Sequence, residues 1–326
     1  MASFKYKNVY ILDTYSIAGP NEIKGSIKNY DQVITDYYFG MKTFEDAEEK
    51  MQQACLDSII SKNKLETKVD LVVAGELSNQ LAISNDVMAK YQIPYLGCYS
   101  ACASFNESLI IASNMIDSKK IKNAISLTSS HINVAERQFR YPIEYGAPKI
   151  KRSTLTATGA VGVYLSNKES NIKVTSATIG EVVDYGISDC LNMGAVMAPA
   201  AFTTLKKHLE DFKIDSNYYD LIITGDLGRV GSKIFKELLK ENNIKLDNYI
   251  DAGSLLFKEE EFAIAGSSGP VTLPLVVFNK ILKTKKYHRI LLLATGSLHS
   301  TTLVNQKKTI PAICHAISLE VEDDLS

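Results

Sequence analysis

The sequence has no excess of charge of either sign: 36 Lys+Arg stand against 37 Asp+Glu, a formal net charge of −1 over 326 residues. Without a basic surplus there is no electrostatic footprint for nucleic acid, and no acidic run reads as a tail. The five cysteines, Cys55, Cys98, Cys102, Cys190 and Cys314, form no CxxC pair. Their odd number and the lack of such a pair argue against both a disulfide framework and a zinc site, and for a reducing compartment. No stretch approaches the roughly 18 apolar residues of a membrane span. Leu273–Phe278 and Ile290–Gly296 are short pieces only. The first sixteen residues carry charge and polar groups where a signal peptide needs an apolar core. These absences predict a soluble intracellular protein. What is present is ordinary for a folded chain, 45% hydrophobic and 22% charged, enough for a large core. The length suits two domains or one large duplicated one.

An internal repeat organises the rest. Val69-Asp-Leu-Val-Val-Ala-Gly-Glu-Leu77 recurs 150 positions later as Tyr219-Asp-Leu-Ile-Ile-Thr-Gly-Asp-Leu227. Each copy reads as a buried strand closed by Gly, and each follows an amphipathic segment, Phe44–Ile60 or Met197–Phe212. In the first of these, Ala47, Met51, Ala54, Cys55, Ser58 and Ile59 share one face. Further on, Ala101–Ile116 and Ser268–Leu282 are apolar nearly all round and predict two wholly buried helices, with Pro270 suited to the first turn of the second. Short basic linkers, Lys119-Lys120 and Lys285-Lys286, lead into the strands Ala124–Ser130 and Ile290–Gly296. The chain therefore divides into two similar α/β halves, residues 1–170 and 171–326.

Two α/β halves with paired buried helices resemble the thiolase fold, a duplicated α/β architecture of five layers, α-β-α-β-α. Three segments carry a closer resemblance, to the stage V sporulation protein AD family of endospore-forming bacteria. They are Ser129-Ser-His-Ile-Asn-Val-Ala-Glu-Arg-Gln-Phe-Arg-Tyr-Pro-Ile-Glu-Tyr-Gly146, Asp189-Cys-Leu-Asn-Met-Gly-Ala-Val-Met-Ala-Pro-Ala200 and Thr309-Ile-Pro-Ala-Ile-Cys-His315. The resemblance covers essentially the whole chain. It implies a role in spore formation: binding dipicolinic acid and helping to move it, as its calcium chelate, into the developing spore. The implied partners are the membrane proteins of the same transport system and a second copy of the chain. The implied place is the cytoplasm or the periphery of the developing spore's inner membrane. The homodimer would form through Ile93–Tyr99, the strand that pairs across the two-fold axis in thiolase folds.

Cys102 opens the first buried helix, where backbone N–H groups and the helix dipole lower a thiol pKa. Thiolase-like enzymes carry their acyl-accepting nucleophile there, although a small buried thiol also packs well. The partners such an enzyme needs are missing. Where condensing enzymes of this fold place His, this chain has Thr224-Gly-Asp-Leu-Gly with Asp226; where they place Asn or His, it has Gly266-Ser-Ser-Gly269. A carboxylate beside the thiol raises its pKa. Cys102 is thus a vestigial candidate, and no residue is assigned as catalytic.

What remains suits an anion. His131 follows the strand ending at Ser130, and both are expected at the Cys102 pocket as ligand-binding residues, as is Ser267. His315 is expected in a C-terminal loop that closes the pocket. Cys314 with His315 is too small a set for a metal, and His299 is a lesser rim candidate. Arg137 and Arg140 stand one helical turn apart and match carboxylates, with the aromatic planes of Tyr141 and Tyr145 beside them. An internal pair such as Arg140 with Glu144 would instead hold the loop. Lys149, Lys151 and Arg152 read as a solvated face, and His208 and His288 as surface. Gly225–Lys233 and Thr158–Gly162 lack the spacing of a phosphate loop, so neither asks for a nucleotide or any other cofactor. Dipicolinate, planar with two carboxylates, wants stacking surfaces, cationic or N–H donors and a concave site. The competing readings are an acyltransferase or condensing enzyme using Cys102, and a ligand-free structural subunit of the membrane complex.

Overall fold

The two repeats fold into two five-stranded sets. The structure, a computed structural model, describes residues 2–65, 68–148, 150–258 and 263–322. In the first set Tyr10–Ala18, Gly159–Ser166, Asn123–Ser130, Val72–Gly75 and Tyr95–Gly97 lie side by side in that order. In the second, Ile172–Ile179, Ala312–Val321, Arg289–Ser297, Leu221–Thr224 and Tyr249–Asp251 repeat the pattern. The register pairs Val72 with Ile125 in parallel in one set, and Leu221 with Ile290 in the other. A single pairing, Tyr10 with Lys173, joins the sets at their first strands.

Helices occupy three layers around these strands. Phe44–Lys62 and Ala82–Met88 cover the outside of the first set. The longer helix begins at Thr43, whose hydroxyl accepts the Asp46 N–H at 3.1 Å, and it buries Met51, Cys55, Leu56 and Ile59 on one face. Met193–Phe212 and Gly228–Glu241 cover the second set. These two helices meet closely: a Cβ on Gly231 would lie 2.5 Å from the Gly194 carbonyl oxygen.

Between the sets run two buried helices, giving the order α-β-α-β-α. The first is a 3-10 turn, Ala101–Ala103, continued by the α-helix Ser104–Asp117. The second is irregular: Thr272–Val276 is α-helical, Val277–Ile281 is π-helical and Leu282–Thr284 is 3-10. There the Asn279 side-chain amide donates to the Leu275 carbonyl at 3.0 Å, competing with the backbone ladder. Pro270 precedes this helix and lies outside its first turn, because the chain first turns at Gly269, with φ +108. Asn106 of the first central helix is fully buried, and its amide donates to the carbonyls of Leu292 at 3.0 Å and His315 at 2.7 Å, both in the second half. Among the described residues, no helix is long and apolar enough to cross a membrane.

Candidate functional site

Cys102 sits in the 3-10 turn ahead of the first central helix, after Ala101 with φ +53. It faces a cavity of about 40 Å³ shared with Arg140, His299, Thr156 and Ser268, whose apolar walls are Leu77, Phe139, Met193 and Met197. Asp226, one of the repeat's closing acids, lies against the thiol. It is 1% exposed, accepts from Thr295 Oγ1 at 2.6 Å and from the Gly269 N–H at 3.3 Å, and hydrogen-bonds Cys102. Burial pushes this carboxyl up to about 7. The helix start was expected to lower the Cys102 pKa. Instead, burial and then the Asp226 charge raise it well above an ordinary thiol, outweighing the Gly269 N–H and Arg140. Cys102 therefore rests as a thiol hydrogen-bonded to Asp226.

Arg140 supplies the cavity's cation. The helix Ile132–Phe139 ends just before it, so its side chain turns inward while Arg137 stays on the surface. Arg140 is 5% exposed and ion-paired with the fully buried Glu136, whose carboxylate also accepts from Thr156 Oγ1 at 3.3 Å. The guanidinium Nε is buried without a partner. The partner anticipated for Arg140, Glu144, instead accepts from Asn133 Nδ2 at 3.5 Å.

The other expected residues are placed as follows. Arg137 pairs with Glu45 on the surface. Tyr141 is half-buried and stands edge-on to Tyr145 at 6.2 Å. His131 caps its helix: Nδ1 accepts the Asn133 N–H at 3.2 Å and Nε2 bonds the Tyr37 carbonyl at 2.8 Å. Burial lowers His131 to about 4, and it does not line the cavity. Ser130 donates to the Ala157 carbonyl at 2.7 Å, and Ser267 pairs with Thr272 at 2.8 Å, so the cavity receives Ser268 in place of Ser267. His315 is in a strand, not a loop, paired with Ala294, and its Nδ1 accepts the Gly180 N–H at 3.2 Å. His208, read as surface, is fully buried between Thr178 Oγ1 at 2.8 Å and Tyr219 Oη at 2.6 Å. Lys149 lies outside the described residues, while Lys151, Arg152 and His288 are exposed.

Sequence reasoning missed the walls Met193, Met197 and Phe139 and underrated His299. Three of these residues stood in quoted segments, Phe139 beside Arg140 and both Met193 and Met197 in Asp189–Ala200, but nothing in their spacing points at Cys102. Among the described residues, no group of three or more His, Cys, Asp or Glu is placed to hold a metal ion.

The family model of stage V sporulation protein AD matches residues 2–320. Stage V sporulation protein AD of Bacillus subtilis is 37% identical over 318 residues, covering 96% of this chain and 94% of that protein. Among solved structures, 3-oxoacyl-[acyl-carrier-protein] synthase III of Aquifex aeolicus superposes with a TM-score of 0.58 at 14% identity, over 96% of this chain and 99% of that one. OleA of Xanthomonas campestris, crystallised with bound lauric acid and lauroyl-CoA, superposes with a TM-score of 0.61 at 13% identity, over 97% and 99% of the two chains. These last two likenesses show a thiolase-like fold.

Proposed function

The chain belongs to the stage V sporulation protein AD family, and from that premise we propose that it binds dipicolinate, free or as its calcium chelate, in the cavity beside Cys102. By this reading it serves the movement of dipicolinate into the developing spore, with the membrane proteins of that transport system as its partners. Arg140 carries the proposal. A buried guanidinium in a cavity wall, ion-paired through Nη1 and with its Nε–H unpartnered, is a ready carboxylate donor. A neutral thiol beside a buried carboxyl speaks for binding over nucleophilic catalysis.

The test is calorimetry with dipicolinate. Losing one charge-assisted contact costs about 1.5–3 kcal/mol, roughly 10- to 150-fold in affinity. Because Arg140→Ala would strand Glu136, Arg140→Gln is combined with Glu136→Gln. That double variant is expected to bind at least about tenfold more weakly, and Lys151→Ala to stay within about threefold. Equal affinities in all three proteins would overturn the placement. Mass spectrometry after incubation with acyl thioesters addresses the enzymatic alternative, and no acyl adduct on Cys102 is expected.

A further inference from the structure

A cavity of about 40 Å³ has room for water and not for a planar aromatic acid. If the binding reading above holds, part of its wall has to move. The rings of Phe139 and His299 are that part. Their centroids are 5.5 Å apart, and both residues also line an outer groove of about 290 Å³ rimmed by Gln80, Tyr99 and Thr301. The ring pair is thus the partition between groove and cavity. His299 is only 6% exposed, and its Nδ1 is sealed from solvent with no hydrogen-bond partner. Arg140 Nε is in the same condition, in the wall of the same cavity. These two nitrogens line one cavity, and a ligand with two acceptors would satisfy both at once.

We propose that Arg140 and His299 form a two-cation clamp for a planar aromatic dicarboxylate. Arg140 takes one carboxylate, and His299, turned away from Phe139, takes the other as an imidazolium. The proton that forms the new N–H bond comes from solvent, and no covalent bond joins protein and ligand. This extends the dipicolinate reading and rests on it. In the free protein, burial and then the Arg140 charge hold His299 down at about 4. An opposite charge in contact raises a pKa by roughly 1–3 units, which brings His299 into the range of pH 6 when the dianion is bound. The other titratable groups facing the cavity are Cys102, a thiol, and Asp226; Glu136 faces it through its pair with Arg140. Asp226, at about 7, already carries its proton for the most part at pH 6.

Calorimetry at pH 6 in two buffers of different ionisation enthalpy, MES and bis-tris, counts the protons taken up per dipicolinate bound. The wild-type protein is expected to take up about half a proton or more, and His299→Gln and His299→Asn close to none. The uptake survives Asp226→Asn. Picolinate, with one carboxylate, binds the wild type at least about tenfold more weakly than dipicolinate does. Dipicolinate binding with no proton uptake in the wild type, or with uptake unchanged in both His299 variants, or with uptake lost only in Asp226→Asn, overturns the clamp and leaves the binding reading standing. No binding of dipicolinate to the wild type at millimolar concentration overturns both.

Discussion

Replacing Asp226 with asparagine should stabilise the protein progressively as the pH rises. Thr295 Oγ1 and the Gly269 N–H bond this carboxyl, yet complete burial dominates and lifts it from 3.8 to about 7. In the unfolded chain the group ionises at its ordinary value. Between the two values the folded state binds more protons, so stability falls as pH rises and the full cost is present above about 7. Three units at about 1.36 kcal/mol each give about 4 kcal/mol for holding the ionised carboxylate in place. Asparagine is neutral throughout. Its constant offset, from altered hydrogen bonds to Thr295 and Gly269, is the same at every pH. The stability difference between variant and wild type should therefore grow from about pH 4 and level off above about 7, at about 4 kcal/mol over its acid value. Urea denaturation at pH 5, 6, 7 and 8 measures it. Two parallel pH profiles would refute the reasoning, because they would mean that Asp226 ionises in the folded protein as freely as in the unfolded chain.

His131→Ala removes a helix cap and strands the Tyr37 carbonyl, so thermal unfolding should show a loss of about 2 kcal/mol while dipicolinate affinity stays within about threefold. A larger affinity loss without the stability loss would return His131 to the binding site. Tyr95–Gly97 ends the sheet order as an edge strand, with Leu96 44% and Tyr99 42% exposed, which supports its pairing with a second copy. Sedimentation at micromolar concentration should then give a species of about twice 36.0 kDa, and a lone 36.0 kDa species would exclude the dimer.

The repeat made much of the architecture legible, because a strand buried on both faces has to be written as a continuous apolar run. Val72–Gly75 and Leu221–Thr224 occupy equivalent places in their two sets. The thiolase resemblance, not the repeat, put Asp226 where it could meet Cys102, and it does. What could not be read depended on partners far away in sequence. His208 looks like a surface residue among Lys206, Lys207 and Glu210, until Thr178 and Tyr219 close around it. Arg137 and Arg140 share a face only while the helix continues, and it ends at Phe139 between them. Adjacent serines gave no sign that Ser268, and not Ser267, would line the cavity, since that choice follows from the short pairing with Leu155–Thr156. His315 looked like a loop residue because nothing in Thr309–His315 announces the ten-residue strand that begins at Ala312.

The hydrogen bonds of Asn106 bear on how this chain reaches its native state. All five strands of the first set are present by residue 166. The helix that backs them, however, carries a buried amide whose acceptors are residues 292 and 315. Until those carbonyls arrive, that amide must keep water or stay unpaired in an apolar layer, at a cost of roughly 1–3 kcal/mol. A chain emerging from the ribosome therefore has a first half that can collapse but cannot seal. Cutting the polypeptide near residue 170 should yield two sticky fragments, each exposing the face of a central helix meant for the other. The loop closed by the contact from residue 106 to residue 315 spans most of the sequence, which makes final docking slow relative to local structure.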